Sequence, residues 1–331
     1  MLPKNIAVIG EGVIGLSSAL ALVEKFPKAK IDIFYDRPFI QTCSFGPAGL
    51  FRLDDYRLKS LSKVTFDRMA LLEKTVGPNT GIKLVSGYIQ SDDEDKLKCQ
   101  EKNMADVVYN FKWLDEREKN SLFINPSKFC IHYTAYASEG KKYVPWMKAI
   151  LIDKGVSFIK KQIFNIDEVG ENYDVVINCG GLNGGKIAGD DDSVYPIRGI
   201  AIELDVKWHK HFNYKDFTNF SIPMSNSIVI GTVKQDNRSD IEITDEDRKE
   251  IWDKYLEIHP TMKGAKVLSE WCNLRPGRSS IRLESQVRNL NNGKQYLVIH
   301  NYGHGGNGFT LHWGCALKVT ELIGEIIKSK L

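Results

Sequence analysis

Arginine side chains are concentrated in one short segment near the C-terminal end of the chain. The segment LRPGRSSIRL, residues 274–283, contains Arg275, Arg278 and Arg282. A guanidinium group is planar and offers two parallel N–H donors, so it matches the two oxygens of a carboxylate. The segment therefore supplies candidates for binding a carboxylate, although arginines of this kind more often lie at the surface or in structural ion pairs.

A glycine motif near the N-terminus indicates a nucleotide-binding turn. The motif GEGVIG, residues 10–15, follows the apolar run 6–9 and opens a helical pattern over residues 16–24. The next predicted strand, residues 30–35, is followed by Asp36, an acid suitably placed for a ribose hydroxyl. This context predicts a βαβ unit with a parallel sheet that binds a dinucleotide at the helix N-terminus. It does not distinguish FAD from NAD. The glycines of the motif are Gly10, Gly12 and Gly15.

Two later glycine-bearing segments follow apolar strand patterns. NCGG, residues 178–181, follows the buried run 174–178, and HNYGHGGNGFTLHWG, residues 300–314, follows the run 296–299. Glycine allows a ligand to lie close to the main chain. Three separate segments of this kind suit an extended ligand such as FAD better than NAD. Backbone N–H groups of residues 303–308 could then stabilise negative charge on a reduced flavin ring.

Composition and charge exclude several other classes of protein. The chain has 331 residues, of which 42% are hydrophobic and 26% charged, and its formal net charge of +3 does not suggest a nucleic-acid or membrane-surface partner. The six cysteines show no zinc-ligand spacing and are expected to be reduced thiols. The acidic run 190–192 is interpreted as a solvated turn. Structural roles are favoured for His209, His211, His304 and His312, and no metal site is predicted.

Together these segments resemble the D-amino-acid oxidase and D-aspartate oxidase family over essentially the whole chain. The motifs that carry the resemblance are VIGEGVIGLSSAL, DR at 36–37, PAGL at 47–50, INCGGL at 177–182, LRPGRSSIRLE at 274–284 and HNYGHGGNGFTLHWG. The resemblance implies an α/β fold in which a doubly wound, Rossmann-type FAD-binding domain is interleaved with a mixed-sheet substrate domain. The expected FAD-binding domain comprises residues 1–52, 140–195 and 285–331, and the substrate domain 53–139 and 196–284. The implied activity is FAD-dependent oxidative deamination of D-amino acids by O2, giving 2-oxo acids, ammonia and hydrogen peroxide.

The resemblance also implies roles for individual residues. Arg278 matches the family's clamp for the substrate α-carboxylate, and Gly306 lies where the terminal loop meets the reactive end of the flavin. No side-chain base is expected, because positioning of the substrate is the main contribution. Phe220 replaces a tyrosine that usually covers the substrate, and Asn307 replaces a tyrosine of the neutral-substrate enzymes. The expected FAD contacts, besides the three motif glycines, are Asp36, Arg37, Cys43, Ser44, Gly49, Leu50, Ile163, Gly305, Phe309 and Thr310.

The choice of substrate depends on a second positive group. An acidic substrate carries a side-chain carboxylate that is costly to desolvate without a partner. Lys234 falls where the aspartate oxidases resemble one another in carrying a basic residue, and Arg52 is a second candidate. The leading interpretation is oxidation of D-aspartate and D-glutamate. Two alternatives are oxidation of neutral D-amino acids and, in another class, a non-oxidase nucleotide-binding protein or an NAD-dependent dehydrogenase.

The last three residues, Ser329, Lys330 and Leu331, spell SKL, the address read by the peroxisomal import receptor. The sequence therefore predicts residence in the peroxisomal matrix. Such a location would place a peroxide-forming enzyme beside the enzymes that destroy peroxide.

Overall fold

The structure, a computed structural model, describes residues 2–231 and 235–329, with Ser329 described by its backbone alone. The chain forms two compact units. The first unit comprises Met1–Phe45, Lys141–Ile197 and Arg275–Leu331, and the second comprises Gly46–Gly140 and Arg198–Leu274. The chain therefore passes from one unit to the other four times. This division places residues 275–284 in the first unit, whereas the sequence-based division assigned them to the substrate domain.

The helices and strands are numbered in chain order. The strands are β1 (Asn5–Ile9), β2 (Lys30–Tyr35), β3 (Ile82–Ser91), β4 (Tyr109–Trp113), β5 (Phe129–Ser138), β6 (Ser157–Lys160), β7 (Val175–Asn178), β8 (Tyr195–Leu204), β9 (His211–Lys215), β10 (Asn219–Pro223), β11 (Ile228–Gly231), β12 (Gln235–Asp236), β13 (Val267–Gly277), β14 (Arg282–Asn289) and β15 (Gln295–Tyr302). The helices are α1 (Val13–Lys25), α2 (Lys59–Thr75), α3 (Glu94–Met104), α4 (Glu116–Leu122), α5 (Gly140–Asp153), α6 (Asp167–Gly170), α7 (Gly184–Ala188), α8 (Asp245–Ile258) and α9 (Gly308–Ser329).

The first unit is built on a six-stranded sheet with the order β14-β15-β7-β1-β2-β6. β15, β7, β1, β2 and β6 are parallel, and β14 pairs antiparallel with β15. The side chains of Ile6–Ile9 are almost completely buried, as expected for a central strand of a parallel sheet covered on both faces. The predicted strand, turn, helix and strand at the N-terminus are confirmed.

The second unit is built on a larger mixed sheet with the order β12-β8-β11-β10-β9-β3-β5-β4, in which β13 also pairs with β8. β3 and β9 are parallel, while β9, β10, β11 and β8 are joined as antiparallel neighbours. α8 packs close to β10 and begins with a capping box, in which Thr244 and Asp247 accept from each other's backbone N–H. The predicted α/β class with an additional mixed sheet is confirmed.

The C-terminal helix starts at the end of the last glycine-bearing turn. α9 begins at Gly308, so it directly follows a short turn of residues 305–307. Within residues 2–231 and 235–329, no helix is long and apolar enough to cross a membrane. The same residues contain no cluster of three or more metal-ligating side chains. All six cysteines are free thiols.

Candidate functional site

The glycine turn between β1 and α1 leaves no space for side chains. Gly10 has φ of +108°, and a Cβ there would lie 2.5 Å from the carbonyl oxygen of Cys179. A Cβ on Gly15 would lie 1.8 Å from the carbonyl oxygen of Gly10. Gly12 precedes α1 without a side-chain cap, and the Ser44 hydroxyl accepts from the Val13 N–H at 3.0 Å. This N-terminus can therefore approach a phosphate closely.

The three glycine-bearing segments meet at one edge of the first unit's sheet. They follow β1, β7 and β15, which are adjacent parallel strands, so they lie at the same carboxyl edge. Asp36 follows β2, the next strand in the sheet, and Ile163 follows β6 beyond it. The carboxyl ends of parallel strands are where α/β sheets bind nucleotides. The fold thus brings together segments that are up to about 300 residues apart in the sequence.

Asp36 and Arg37 bind each other at this edge. The Arg37 Nε and Nη2 groups donate to the two carboxylate oxygens of Asp36 at 3.0 and 2.6 Å. The hydrogen bond from Arg37 holds the pKa of the Asp36 carboxyl below its usual range, so Asp36 is ionised and can accept from a hydroxyl. Both side chains are partly exposed. Their roles toward the adenosine end of FAD stay predictions.

The other residues expected to contact FAD divide between the two units. In the first unit, Cys43 has a thiol whose pKa is raised by burial, and Ile163 belongs to the core cluster that also contains Ile9. In the second unit, Gly49 has φ of +58° and a Cβ there would lie 2.2 Å from the Ser138 carbonyl oxygen. Leu50 forms a bridge to Ala137. Gly49 and Leu50 therefore have structural roles whatever they contact in the cofactor.

The turn after β15 leaves open space beside its backbone. Apart from the adjoining residues of the chain, a Cβ on Gly306 would meet no atom of the described residues within 4 Å, and one on Gly305 would meet only Ile197 among them, at 3.9 Å. His304 is buried, and its Nε2 has no hydrogen-bond partner among the described residues. Burial lowers the pKa of His304 to about 4, so the ring is neutral near pH 7. Phe309 and Thr310 are buried in the first turn of α9. Open space and an unpartnered buried nitrogen fit the binding of a polar, planar group.

The three arginines of residues 274–283 have different surroundings. Arg278 donates from Nε to Asp191 at 3.0 Å and from Nη1 to the Ser280 carbonyl oxygen at 2.9 Å. Its side chain lies over Gly303, where a Cβ would be 2.9 Å from the Arg278 Cβ. Arg282 instead pairs with Asp190 and Glu284, as a structural residue would. Arg275 lies close enough to Cys43 to lower its pKa, against the larger effect of burial.

The acidic run 190–192 is not simply a solvated turn. The side chain of Asp191 is only 6% exposed. Its carboxylate accepts from Arg278, from the Tyr302 hydroxyl at 2.8 Å and from Ser193. The interpretation was therefore wrong for Asp191, because its burial depends on residues about 90 to 110 positions later in the chain.

A second candidate cluster lies on the large sheet of the second unit. The Arg52 guanidinium is 5.7 Å from the ring centre of Tyr214 and 5.4 Å from that of Phe217, and it forms a bidentate pair with Asp54. Phe220 pairs with Tyr214 across β10 and β9, and their rings stack at 5.4 Å. Burial disfavours the charged form of Arg52, but Asp54, Tyr214 and Tyr133 together outweigh that effect and raise the pKa of the guanidinium. Arg52 is thus a charged group on an aromatic surface.

Phe217 adopts a backbone conformation that is unusual for a bulky side chain. Its φ is +58°, in the left-handed region, and the neighbouring Asp216 has φ of +52°. Such a conformation costs on the order of 1–2 kcal/mol per residue. The turn nevertheless places the Phe217 ring against Arg52. Lys234, the other candidate for binding a substrate side chain, lies outside the described residues.

Comparison with known proteins identifies the family. Residues 5–322 match the DAO family model, described as FAD dependent oxidoreductase. D-aspartate oxidase 2 of Caenorhabditis briggsae is 55% identical over 330 residues, and D-aspartate oxidase 1 of Caenorhabditis elegans is 54% identical over 332 residues; each comparison covers 99% of both chains. Glycine oxidase from Bacillus cereus has a similar fold, with a TM-score of 0.79 at 19% identity over 98% of this chain and 95% of that one. The chain belongs to this family of FAD-dependent oxidoreductases, and FAD is its cofactor.

Two residues of the candidate site were not recognised from the sequence. Asp191 was taken as part of a solvated turn, and Tyr302 was read only as part of a glycine-rich loop. Both are fixed by contacts between distant segments, and no local spacing marks them. His304 was assigned a structural role, and its unpartnered nitrogen shows only in three dimensions.

Proposed function

We propose that this enzyme oxidises acidic D-amino acids, D-aspartate first and D-glutamate next, to 2-oxo acids with release of ammonia and hydrogen peroxide. The observation that carries this proposal is the side chain of Arg278, whose stem lies against Gly303 at the start of the open turn and whose Nε donates to Asp191. A carboxylate-binding group thus lies beside the segment expected to hold the flavin. The identity of 54–55% to two D-aspartate oxidases supports the choice of substrate.

FAD, held by the glycine-bearing segments, would supply the acceptor for the hydride that leaves the substrate Cα and the transfer of its two electrons to O2. Water would hydrolyse the resulting imino acid to the 2-oxo acid and ammonia. The protein's contribution is to bind and orient the substrate. Arg278 would bind the α-carboxylate and so fix the direction of the Cα–H bond. Correct alignment of two reacting groups can lower a barrier by roughly 7 to 11 kcal/mol. The amine would release its proton before oxidation, without a side-chain base.

The FAD-binding roles follow from the space that each segment leaves. Gly10, Gly12 and Gly15 would let the pyrophosphate approach α1, and Asp36 would accept from the ribose. Gly305 and Gly306 would lie beside the flavin ring, where their N–H groups can stabilise negative charge. These assignments rest on the steric openness of the turns and on their place at one sheet edge.

Preference for acidic substrates would depend on Arg52, Lys234 or both. Arg52 has the chemistry to bind a side-chain carboxylate, since it already holds the carboxylate of Asp54 in a bidentate pair. Asp54 also neutralises part of its charge. That pairing favours the second candidate function, oxidation of neutral D-amino acids, if Arg52 stays with Asp54 during catalysis.

A peroxide assay with paired enantiomers tests the proposal. The purified enzyme should show a flavin absorption spectrum and oxidise D-Asp and D-Glu faster than D-Ala and D-Met, with no turnover of the L forms. Faster oxidation of D-Ala than of D-Asp would assign the enzyme to the neutral-substrate branch. A colourless protein that binds NAD instead of FAD would contradict both.

The SKL tripeptide supports a separate proposal, that the peroxisomal import receptor binds this protein and places it in the peroxisomal matrix. Lys330 and Leu331 lie outside the described residues, and α9 extends to Ser329. Deleting residues 329–331 should disperse a fluorescent N-terminal fusion through the cytosol and leave oxidase activity unchanged. A full-length fusion that is already cytosolic would contradict the proposal.

A further inference from the structure

Asp191 has the contacts of a residue that holds one side chain in place. Its Oδ2 accepts from Arg278 Nε at 3.0 Å and from the Tyr302 hydroxyl at 2.8 Å, while its Oδ1 accepts from the backbone N–H of Ser193 at 3.0 Å. Both oxygens are therefore engaged. Burial alone would raise the pKa of Asp191, but the hydrogen bonds from Ser193 and Tyr302, with the charge of Arg278, hold it well below its usual range. The group stays an acceptor at neutral pH.

The partners of Asp191 are themselves fixed. Tyr302 is 1% exposed and accepts from Arg282 Nη1 at 2.9 Å. Its ring packs against Gly184, where a Cβ would lie 2.5 Å from the ring. Arg282 in turn is held by Asp190. The tyrosine that donates to Asp191 is thus itself buried and has no room to move toward α7.

The opposite side of Arg278 is limited by the main chain. A Cβ on Gly303 would lie 2.9 Å from both the Cβ and the Cδ of Arg278, so the arginine stem rests directly on the backbone. In the part of the chain that the structure describes, hydrogen bonds engage Nε and Nη1 of Arg278. The outer edge formed by Nη1 and Nη2 can then face a ligand carboxylate.

We propose that Asp191 is a positioning residue for substrate binding: it fixes Nε of Arg278 so that the Nη1–Nη2 edge meets the substrate α-carboxylate. The proposal deepens the proposed function and rests on it. Orienting the guanidinium in advance reduces the entropy lost when the substrate binds. Asp191 partly neutralises the positive charge of Arg278. It also gives the guanidinium a defined orientation.

The test compares two carboxylates of the same turn. Asp191→Asn removes the charge that holds Arg278, and Asp192→Asn makes the same chemical change at the neighbouring residue, which is exposed. Asp191→Asn should lower kcat/KM roughly 10- to 100-fold, the effect of losing one charge-assisted hydrogen bond. The loss should be equal for D-Asp and D-Ala, since both carry the α-carboxylate, and should lie mainly in KM. Asp192→Asn should stay within about threefold of the wild type.

Binding of malonate, a dicarboxylate that lacks an amino group, gives a second readout. Titration of the FAD-loaded protein, followed by its flavin spectrum, should show weaker binding to Asp191→Asn by a similar factor, with FAD content unchanged. Tyr302→Phe removes one hydroxyl donor to Asp191 and keeps the ring, so it should weaken malonate binding in the same direction but less. The proposal would be overturned if Asp191→Asn lost FAD or failed to fold while Tyr302→Phe bound malonate as tightly as the wild type. Asp191 would then have a structural role.

A double-mutant cycle separates positioning from an independent effect. In an Arg278→Lys background, which lacks the Nε donor and the planar fork, Asp191→Asn should have almost no further effect on malonate binding. An equal effect in both backgrounds would overturn the proposal. If the wild type oxidises no D-amino acid, the proposed function fails, but the malonate cycle still reports whether Asp191 acts through Arg278. Normal oxidation by Asp191→Asn would overturn only the positioning role.

Discussion

Arg278 and Arg52 carry the same functional group in different surroundings. Arg278 shares its Nε with one buried carboxylate, whereas Arg52 pairs with the more exposed Asp54 and lies against two aromatic rings. A guanidinium held through Nε is oriented and can still bind a carboxylate end-on. A guanidinium that already forms a bidentate pair must exchange one carboxylate for another. Replacing the two residues should therefore affect different substrates.

Replacing Arg278 with Ala should lower kcat/KM for D-Asp and D-Ala alike. Removing one member of a buried charge pair commonly costs at least about 2 kcal/mol, which corresponds to roughly 30-fold or more in kcat/KM. FAD should remain bound, because no cofactor contact is expected from this side chain. Steady-state kinetics and the flavin-to-protein absorbance ratio measure both effects. Unchanged turnover would remove Arg278 from the substrate site.

Replacing Arg52 with Ala should discriminate between substrates. If Arg52 binds the side-chain carboxylate, kcat/KM should fall about tenfold or more for D-Asp and little for D-Ala. Lys234→Ala, measured in parallel, shows which of the two residues sets the preference. Arg57→Ala is the matched control, since Arg57 lies nearby in the chain, pairs with Asp55 and is 61% exposed. Equal losses on both substrates for Arg52→Ala would make Arg52 a structural residue.

At the level of elements, the glycines of the site serve two different purposes. Gly15 is required by the protein itself, because its Cβ would overlap the Gly10 carbonyl. Gly306 lies in open space and has no positive φ, so the protein alone would accept a side chain there. Because the fold does not require glycine at position 306, a loss of binding caused by replacing it would report contact with a ligand.

Gly306→Ala should therefore fold normally and bind FAD more weakly. We expect a similar melting temperature for the FAD-free protein and at least about a tenfold increase in the Kd for FAD, since even a small overlap with a rigid ligand is costly. Fluorescence titration of the FAD-free protein with FAD measures the Kd. Gly324→Ala is the control and should leave FAD binding unchanged, because Gly324 lies in α9 and a Cβ there would meet no atom of the described residues within 4 Å beyond its own helix backbone. Equal FAD affinity for Gly306→Ala would place the flavin elsewhere.

The elements with a local sequence signal were predicted and the others were not. β1, α1 and β2 follow from continuous apolar runs, helical spacing and a glycine turn, all of which act over a few residues. The start of α9 at Gly308 was missed, because glycine normally disfavours a helix and here it serves the turn before it. Asp191 was missed because its partners Arg278 and Tyr302 belong to distant segments. Long-range contacts, which decide burial, leave little trace in a single sequence.

At the level of the whole molecule, the division of the chain explains why the motifs are scattered. The first unit takes three separate segments of the chain, and each brings strands to the same parallel sheet. The turns after β1, β2, β7 and β15 therefore assemble only when all three segments have folded together.

Buried histidines should make the protein sensitive to mild acid. Burial lowers the pKa of His300 and His304 in the first unit, and of His209 and His259 in the second, to about 4 each. In the unfolded chain a histidine has a pKa of about 6.5, so between about pH 6.5 and pH 4 the unfolded state binds more protons than the folded state. The free energy of unfolding must therefore fall as the pH decreases through this window. Above about pH 6.5 the effect is absent.

The decrease in the free energy of unfolding can be assigned to individual histidines by replacing them one at a time. Each histidine that is neutral when folded and charged when unfolded contributes up to about 1.4 kcal/mol per pH unit within the window. The melting temperature of the protein, saturated with FAD, should drop steadily from pH 6.5 to pH 4.5. His304→Gln should reduce the steepness of that drop, because it removes one ring whose pKa burial lowers, whereas replacing the exposed His211 with Gln should not. A melting temperature that stays constant from pH 7 to pH 4.5 would contradict the burial of neutral histidines in both units.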